Sequence, residues 1–224
     1  MALHFSPKIV TDGLVFMMDA ANLRSYPGTG TTLTDMISNL SLPFSGTINT
    51  PSFDSDDMGS IFFDNPSEAI GSTYSHLGIL NMGDSVIGNG LSAMTLEVFF
   101  KPNGNGSTIQ FLIGAGGGTD QRYGIAYNST NKTTSFSFHN QSTNLFDNVA
   151  VTAADTITLN EWNQACCAID ASGNVVTYVN GIAAATDTIN LSDLQTLSTD
   201  SDLGIGGTIG NTGQWFGGRI SVVK

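Results

Sequence analysis

Positive charge is what this sequence most clearly lacks. Seven Lys and Arg stand against nineteen Asp and Glu in 224 residues, a formal net charge of −12. A field of that sign repels phosphate, and no Lys/Arg cluster overrides it locally. Nucleic acid and membrane are therefore excluded as expected partners. Charge of either sign is sparse, at 12% of residues, and glutamate is reduced to Glu68, Glu97 and Glu161. Cysteine is confined to the dipeptide Cys166-Cys167, which leaves no disulfide framework. No apolar run approaches the ~20 residues of a membrane span. The opening "MALHFSPKIVTDGLVFMMDA" has no basic stretch ahead of a long apolar core, so no secretory signal is expected.

What is abundant is turn chemistry. Twenty-six glycines, with many Ser, Thr and Asn, punctuate short β-branched and aromatic runs. The stretch "CCAIDASGNVVTYVNG" (166–181) shows the pattern. Neighbouring side chains of a strand point to opposite faces, so Cys166 and Cys167 cannot share a metal, and they read as small packing residues. A turn over 171–174 separates this strand from "VVTYV" (175–179), and Asn180-Gly181 supplies two residues that tolerate positive φ, a strong hairpin signal.

The same reading predicts strands over 13–20, 60–64, 94–102, 108–116, 123–128, 134–140, 148–153, 162–170, 203–209 and 217–224. Residues 23–58 read as surface excursions with one or two short strands, and 191–198 as at most a short helical turn. Many short strands with frequent turns predict an all-β sandwich or jelly roll of two antiparallel sheets over 13–224. An apolar arm over 1–12 precedes it, suited to docking on a neighbouring protein or another copy.

Four segments in this order carry a family resemblance: "GSIFFDN", "MTLEVFFKPN", "EWNQACCAIDASGNVVTYVNGIAAAT" and "LGIGGTIGNTGQWFGGRISVV". They resemble the laminin-G/pentraxin-like branch of the concanavalin A-like lectin/glucanase superfamily. The opening "SPKIVTDGLVFMMDAANLRSYPGTGTTLTDM" is similar to the start of laminin-G-like structural proteins of tailed phages, particularly marine ones. There are two departures. "FFDNPSEA" has Asn65 where the family often has Gly and lacks its second Asp. The chain also stops at Lys224, where the family often continues, leaving open whether a partner completes the closing strand.

The resemblance raises three chemistries. The superfamily's hydrolases carry Glu-x-Asp-x-x-Glu, whereas Glu97 has no acidic partner at i+2 or i+4 and Glu161 precedes a strand in a loop. "GAGGGTD" (114–120) is neither a dinucleotide nor a phosphate loop. The histidines, His4, His76 and His139, suggest no triad, so no catalytic residue is expected. Calcium is implied by related domains, and Asp54, Asp56, Asp57 and Asp64 cluster in sequence, with Asp200 and Asp202 a weaker version. Neither fits an EF-hand loop, and both read as solvated acidic turns. No metal ligand is therefore assigned. For glycans, Trp215, Phe216 and Arg219, or Arg122 and Tyr123, offer aromatic and hydrogen-bonding groups. The structural reading, with Trp215 and Phe216 as one core and one interface residue, stands against that, and the ligand-binding residues stay unassigned.

The expectation is a non-enzymatic virion protein of a tailed phage, a capsid decoration or a fibre or collar component. It would form homo-oligomers, assemble with other virion proteins and touch host-surface glycans. The alternative is a carbohydrate-binding lectin or adhesion module.

Overall fold

The computed structural model describes residues 12–45, 49–57, 59–65, 76–79, 93–117, 120–140, 142–143, 145–194, 203–207 and 214–224, with side chains at 76–79, 116–117 and 120–122 excepted. Among the described residues, sixteen strands form two antiparallel sheets of eight strands each. They are β1 (Met18–Asp19), β2 (Thr32–Thr34), β3 (Ser41–Ser45), β4 (Ser52–Asp54), β5 (Ser60–Phe63), β6 (His76–Ile79), β7 (Met94–Gly106) and β8 (Ile109–Gly117). The second half holds β9 (Asp120–Asn128), β10 (Thr133–Asn140), β11 (Leu145–Val149), β12 (Asn163–Ile169), β13 (Asn174–Val179), β14 (Ile182–Thr188), β15 (Leu203–Ile205) and β16 (Phe216–Val223). Sheet I runs β14-β13-β12-β7-β16-β5-β4, with β1 also on β16. Sheet II runs β11-β10-β9-β8-β15-β6-β3-β2.

Period-two alternation decides what each face carries. Along β7, Leu96, Val98 and Phe100 are buried while Glu97, Phe99 and Lys101 alternate outward. Along β12, Ala165, Cys167 and Ile169 turn inward, and Gln164, Cys166 and Ala168 outward. The two cysteines therefore face opposite ways, as their adjacency requires. Sheet II contributes Tyr123, Ile125, Tyr127, Phe136 and Phe138 to the same core. The sheets meet where the Phe100 ring lies 5.9 Å from Tyr127 and 6.0 Å from Phe216, which in turn lies 6.2 Å from Phe63.

Several predicted boundaries are corrected. Of the strand expected over 13–20, only Met18–Asp19 joins a ladder. The Met17 amide donates to the Asp35 carboxylate and its carbonyl accepts from Met36, so this backbone is satisfied by a loop instead. The strand expected over 148–153 is Leu145–Val149, because Ala150 turns left-handed (φ 48°) and breaks the ladder. The excursion over 23–58 holds three short strands, and alanine-rich β14 extends the Asn180-Gly181 hairpin, whose turn residues have φ 51° and 77°. Leu191–Asp193 form one 3-10 turn. The closing strand β16 is paired with β7 on one side and with β5 and β1 on the other, so it is no open edge. The arm falls at 1–11 outside the described residues.

Asp35 ties the N-terminal segment to the sandwich. It is fully buried and accepts from the amides of Met17 (2.7 Å), Ile37 (3.2 Å) and Ser38 (2.8 Å). Removing it strands the buried Met17 amide and two part-buried donors, those of Ile37 and Ser38. Asp35→Ala is expected to cost about 3 kcal/mol, a fall of roughly 6–12 °C in Tm by calorimetry. Loss of hydrogen-exchange protection at Met17 should accompany it. An unchanged Tm would show that the segment is held by apolar packing alone.

Candidate functional site

The aromatic residues weighed as a sugar platform are interior. Trp215 is 2% exposed, and its ring lies over Gly207, where a Cβ would come within 2.2 Å of it. Phe216 and Tyr123 are core residues, and burial raises the Tyr123 hydroxyl pKa far above its ordinary value. The side chain of Arg122 lies outside the described residues. Both partners of the expected core-and-interface split at Trp215 and Phe216 are thus interior.

Arg219 is committed elsewhere. Its Nη2 and Nε donate to Asp54 Oδ2 (2.9 and 3.1 Å), Nε lies 3.3 Å from Asp57, and the guanidinium sits 4.7 Å over the Phe62 ring. Asp57 also accepts from Lys101 Nζ (2.7 Å) and from Trp162 Nε1 (3.0 Å). The acidic turn is therefore not merely solvated. It is an ion-paired clamp joining the β4–β5 hairpin to β7, β16 and the approach to β12. Asp56 stays exposed, and Asp64 offers its backbone carbonyl to Asn49 rather than joining the cluster. Among the described residues, no three His, Cys, Asp or Glu are placed to share a metal. Asp200 and Asp202 lie outside those residues.

The remaining reactive candidates are also engaged. Glu97 Oε1 accepts from Gln164 (2.8 Å) and Oε2 from Lys224 (3.2 Å), which ties it to β12 and to the chain beyond β16. Glu161 is an exposed loop residue, and Glu68 is not described. Burial pushes the Cys166 thiol up to about 11 and the Cys167 thiol up to about 12, so thiolate is scarce at neutral pH.

A groove of about 330 Å³ instead opens on the outward face of sheet II. Thr133 and Ser135, which alternate with the core residues Thr134 and Phe136, lie in its floor beside Ile109 and Ala126. One wall is segment 151–154, held against β10 because the Thr152 amide donates to the Thr134 carbonyl (3.0 Å) and Thr152 Oγ1 accepts from the Thr134 amide (3.1 Å). Three asparagine side chains border it: Asn128, Asn131 and Asn148. Asn128 Oδ1 accepts from the amides of Thr130 and Asn131 (both 3.0 Å), which fixes the β9–β10 turn. Asn148 Oδ1 accepts from Ser135 (3.3 Å). The amide nitrogens of Asn128 and Asn148 make no bond among the described residues, so their donors are available to a ligand.

Phe146 lies two residues before Asn148 on β11 and so on the same face. It is 38% exposed and packs edge-on against His139 at 5.3 Å. Amides, hydroxyls and a flanking aromatic on a shallow apolar floor suit a polyhydroxylated ligand. None of these residues was assigned to a site from sequence. The available signal was the alternation of small or polar Gly124, Ala126, Asn128, Ser135 and Ser137 with large inward residues on adjacent strands.

A family model described as the concanavalin A-like lectin/glucanases superfamily matches residues 78–224. Among curated proteins, none matches this sequence. The fold is similar to domain 4 of AbnA, an extracellular arabinanase of Geobacillus stearothermophilus solved with arabinotriose. That likeness has TM-score 0.60 and 14% identity over 93% of this chain and 89% of that one. It is also similar to the CBM40 of the Ruminococcus gnavus IT-sialidase, at TM-score 0.51 and 17% identity over 66% and 88%. The receptor-binding domain of botulinum neurotoxin type G gives TM-score 0.59 and 14% identity, over 93% of this chain and 46% of that one.

The clamp has a pH signature. Asp54 is held below the ordinary carboxylate range, first by the Arg219 hydrogen bond, and Asp57 first by that from Lys101. A depressed folded-state pKa stabilises fully above the unfolded value near 4, and that contribution is lost as pH falls through the folded value. The double variant Asp54→Asn, Asp57→Asn should therefore be less stable than the parent at pH 7. The gap should close between about pH 5 and pH 2, as read from Tm against pH. A gap independent of pH would mean the carboxylates act by shape rather than charge.

Proposed function

The chain belongs to the concanavalin A-like lectin/glucanase superfamily, and on that premise we propose that it is a non-catalytic carbohydrate-binding module. Its site is the asparagine-bordered groove on sheet II. The observation that carries this reading is the convergence of Asn128, Asn131 and Asn148 with Thr133 and Ser135 around one cavity, with exposed Phe146 two residues from Asn148 on the same face of β11. Sugar hydroxyls both donate and accept, and a primary amide answers both needs. A partly exposed aromatic supplies the apolar face that a pyranose or furanose ring covers.

Two supports are independent of that geometry. No carboxylate lines the groove, so it lacks the acid and nucleophile pair of a glycosidase. Similar folds occur in a domain solved with arabinotriose, in a sialidase CBM40 and in toxin receptor-binding domains, all binding contexts. At 14–17% identity these share the fold alone, and they lend no particular sugar to this chain.

The proposed setting is the surface of a tailed-phage virion. There the module, as a decoration, fibre or collar component assembled with its own copies and other virion proteins, meets host-surface glycans. That setting is supported by the likeness of the opening 6–36 to tailed-phage proteins.

A glycan array tests the function. Reproducible, competable binding is expected, weakened about tenfold by Asn148→Ala or Phe146→Ala, each removing one contact worth roughly 1–1.5 kcal/mol. Both side chains are exposed, so Tm should hold. Silence across a broad array sinks the lectin reading. Immunogold labelling of purified particles tests the setting: regular label on head, tail or collar is expected, and absence from particles removes the virion assignment without touching sugar binding.

A further inference from the structure

The distribution of charge around the groove narrows what it can hold, and this step rests on the carbohydrate-binding reading. Of the described cations, Lys101, Arg219 and Lys224 all lie on the outward face of sheet I, the opposite sheet, paired with Asp57, Asp54 and Glu97. Lys132, in the β9–β10 turn, is paired with Asp155 at 2.7 Å and does not line the groove. Arg24 lies in the loop after β1. Arg122 lies on β9 four residues before Ala126, and its side chain is outside the described residues.

The groove's own lining carries neither sign of charge. The ionisable residues next to it in sequence are Lys132, whose charge is paired with Asp155, and Asp147 before Asn148, so the neighbourhood carries one net negative charge, and the whole chain has net charge −12. A carboxylate, sulfate or phosphate placed there would lose hydration with no counter-charge in the lining to replace it, inside a net field that repels it. A calcium bridge is equally disfavoured, because Ca²⁺ takes six to eight oxygen ligands and its protein sites lean on carboxylates, of which the lining has none. Amides and hydroxyls remain, matched to uncharged vicinal hydroxyls.

We propose that the groove recognises neutral glycan, free of uronate, sialate, sulfate and phosphate, by direct hydrogen bonding without a metal bridge. Anionic surface polymers are rejected by the same field that excludes nucleic acid. Selection is thus made by missing charge, with the asparagine donors setting orientation.

The test measures binding of the full chain to immobilised neutral polysaccharides (arabinan, β-glucan, agarose) and acidic ones (alginate, polysialic acid, chondroitin sulfate). Each is run at about 50 and about 500 mM NaCl, a range over which screening of exposed charge changes severalfold, and with calcium or EDTA. Expected is retention of at least one neutral polymer, with Kd changing less than about twofold with salt and with EDTA, as uncharged contacts require. The double variant Asn128→Ala, Asn148→Ala should weaken it at least tenfold, with Tm followed to confirm folding. Retention of acidic polymers that falls steeply with salt, or neutral binding abolished by EDTA, overturns the neutral, metal-free inference and leaves a carbohydrate-binding protein. Retention of no polymer, or neutral binding indifferent to the double variant, overturns the groove reading itself.

Discussion

The aromatic seam between the sheets is the contact on which the rest of this molecule depends. Phe100 of β7 touches Tyr127 of β9 and Phe216 of β16, and Phe216 touches Phe63 of β5. These four rings come from positions far apart in the chain, all essentially excluded from water. Ring pairs at such separations add to the area they bury. They also fix which face of each strand is inward. A one-residue slip of β9 would bring Asn128 into the core and push Tyr127 into the groove. The groove exists because the seam forbids that slip.

Burial on both sides of β10 is the second consequence. Phe136 and Phe138 serve the core, while Thr133, Ser135 and Ser137 on the other face are small, polar and shielded. Small residues there leave room above the sheet, and segment 151–154 makes that room into a cleft by pairing with β10 beyond the end of β11. The left-handed residue at Ala150 lets the chain turn from strand into wall. On sheet I the outward face is used differently. Its Asp54, Asp57, Lys101 and Arg219 cross-link the β4–β5 hairpin to the strands that flank it, at residue separations of up to 165. One face thus spends the scarce cations on holding the sheet together, and the other keeps neutral donors facing outward.

Much of the fold was legible from local pattern. "MTLEVFFKP" and "NQACCAI" alternate cleanly, and the structure follows them, including the opposed cysteines. The Asn180-Gly181 turn has the left-handed angles its residue types invite. Short strands in 23–58 and alanine-rich β14 were harder to read, since their pairing comes from neighbours and not from β-propensity. Site residues were legible in a poorer sense. Trp215, Phe216 and Tyr123 are the types that stack on sugars, yet they are also the types that fill cores, and residue type cannot separate the two. The asparagines of the groove looked like ordinary turn residues, and one of them, Asn128, is indeed also a turn former.

By itself, the sequence determined the class of the fold, the positions of most turns, the alternation along each long strand and the poverty of positive charge. All of these are local or additive properties, readable at period two or by counting. Tertiary structure decided which asparagines converge, that the acidic turn is clamped by Arg219 and Lys101, and that the closing strand is central instead of an edge. Those outcomes depend on register between strands that are dozens to more than a hundred residues apart. No local repeat encodes that register, because it is set by how the inward rings of two sheets pack against one another.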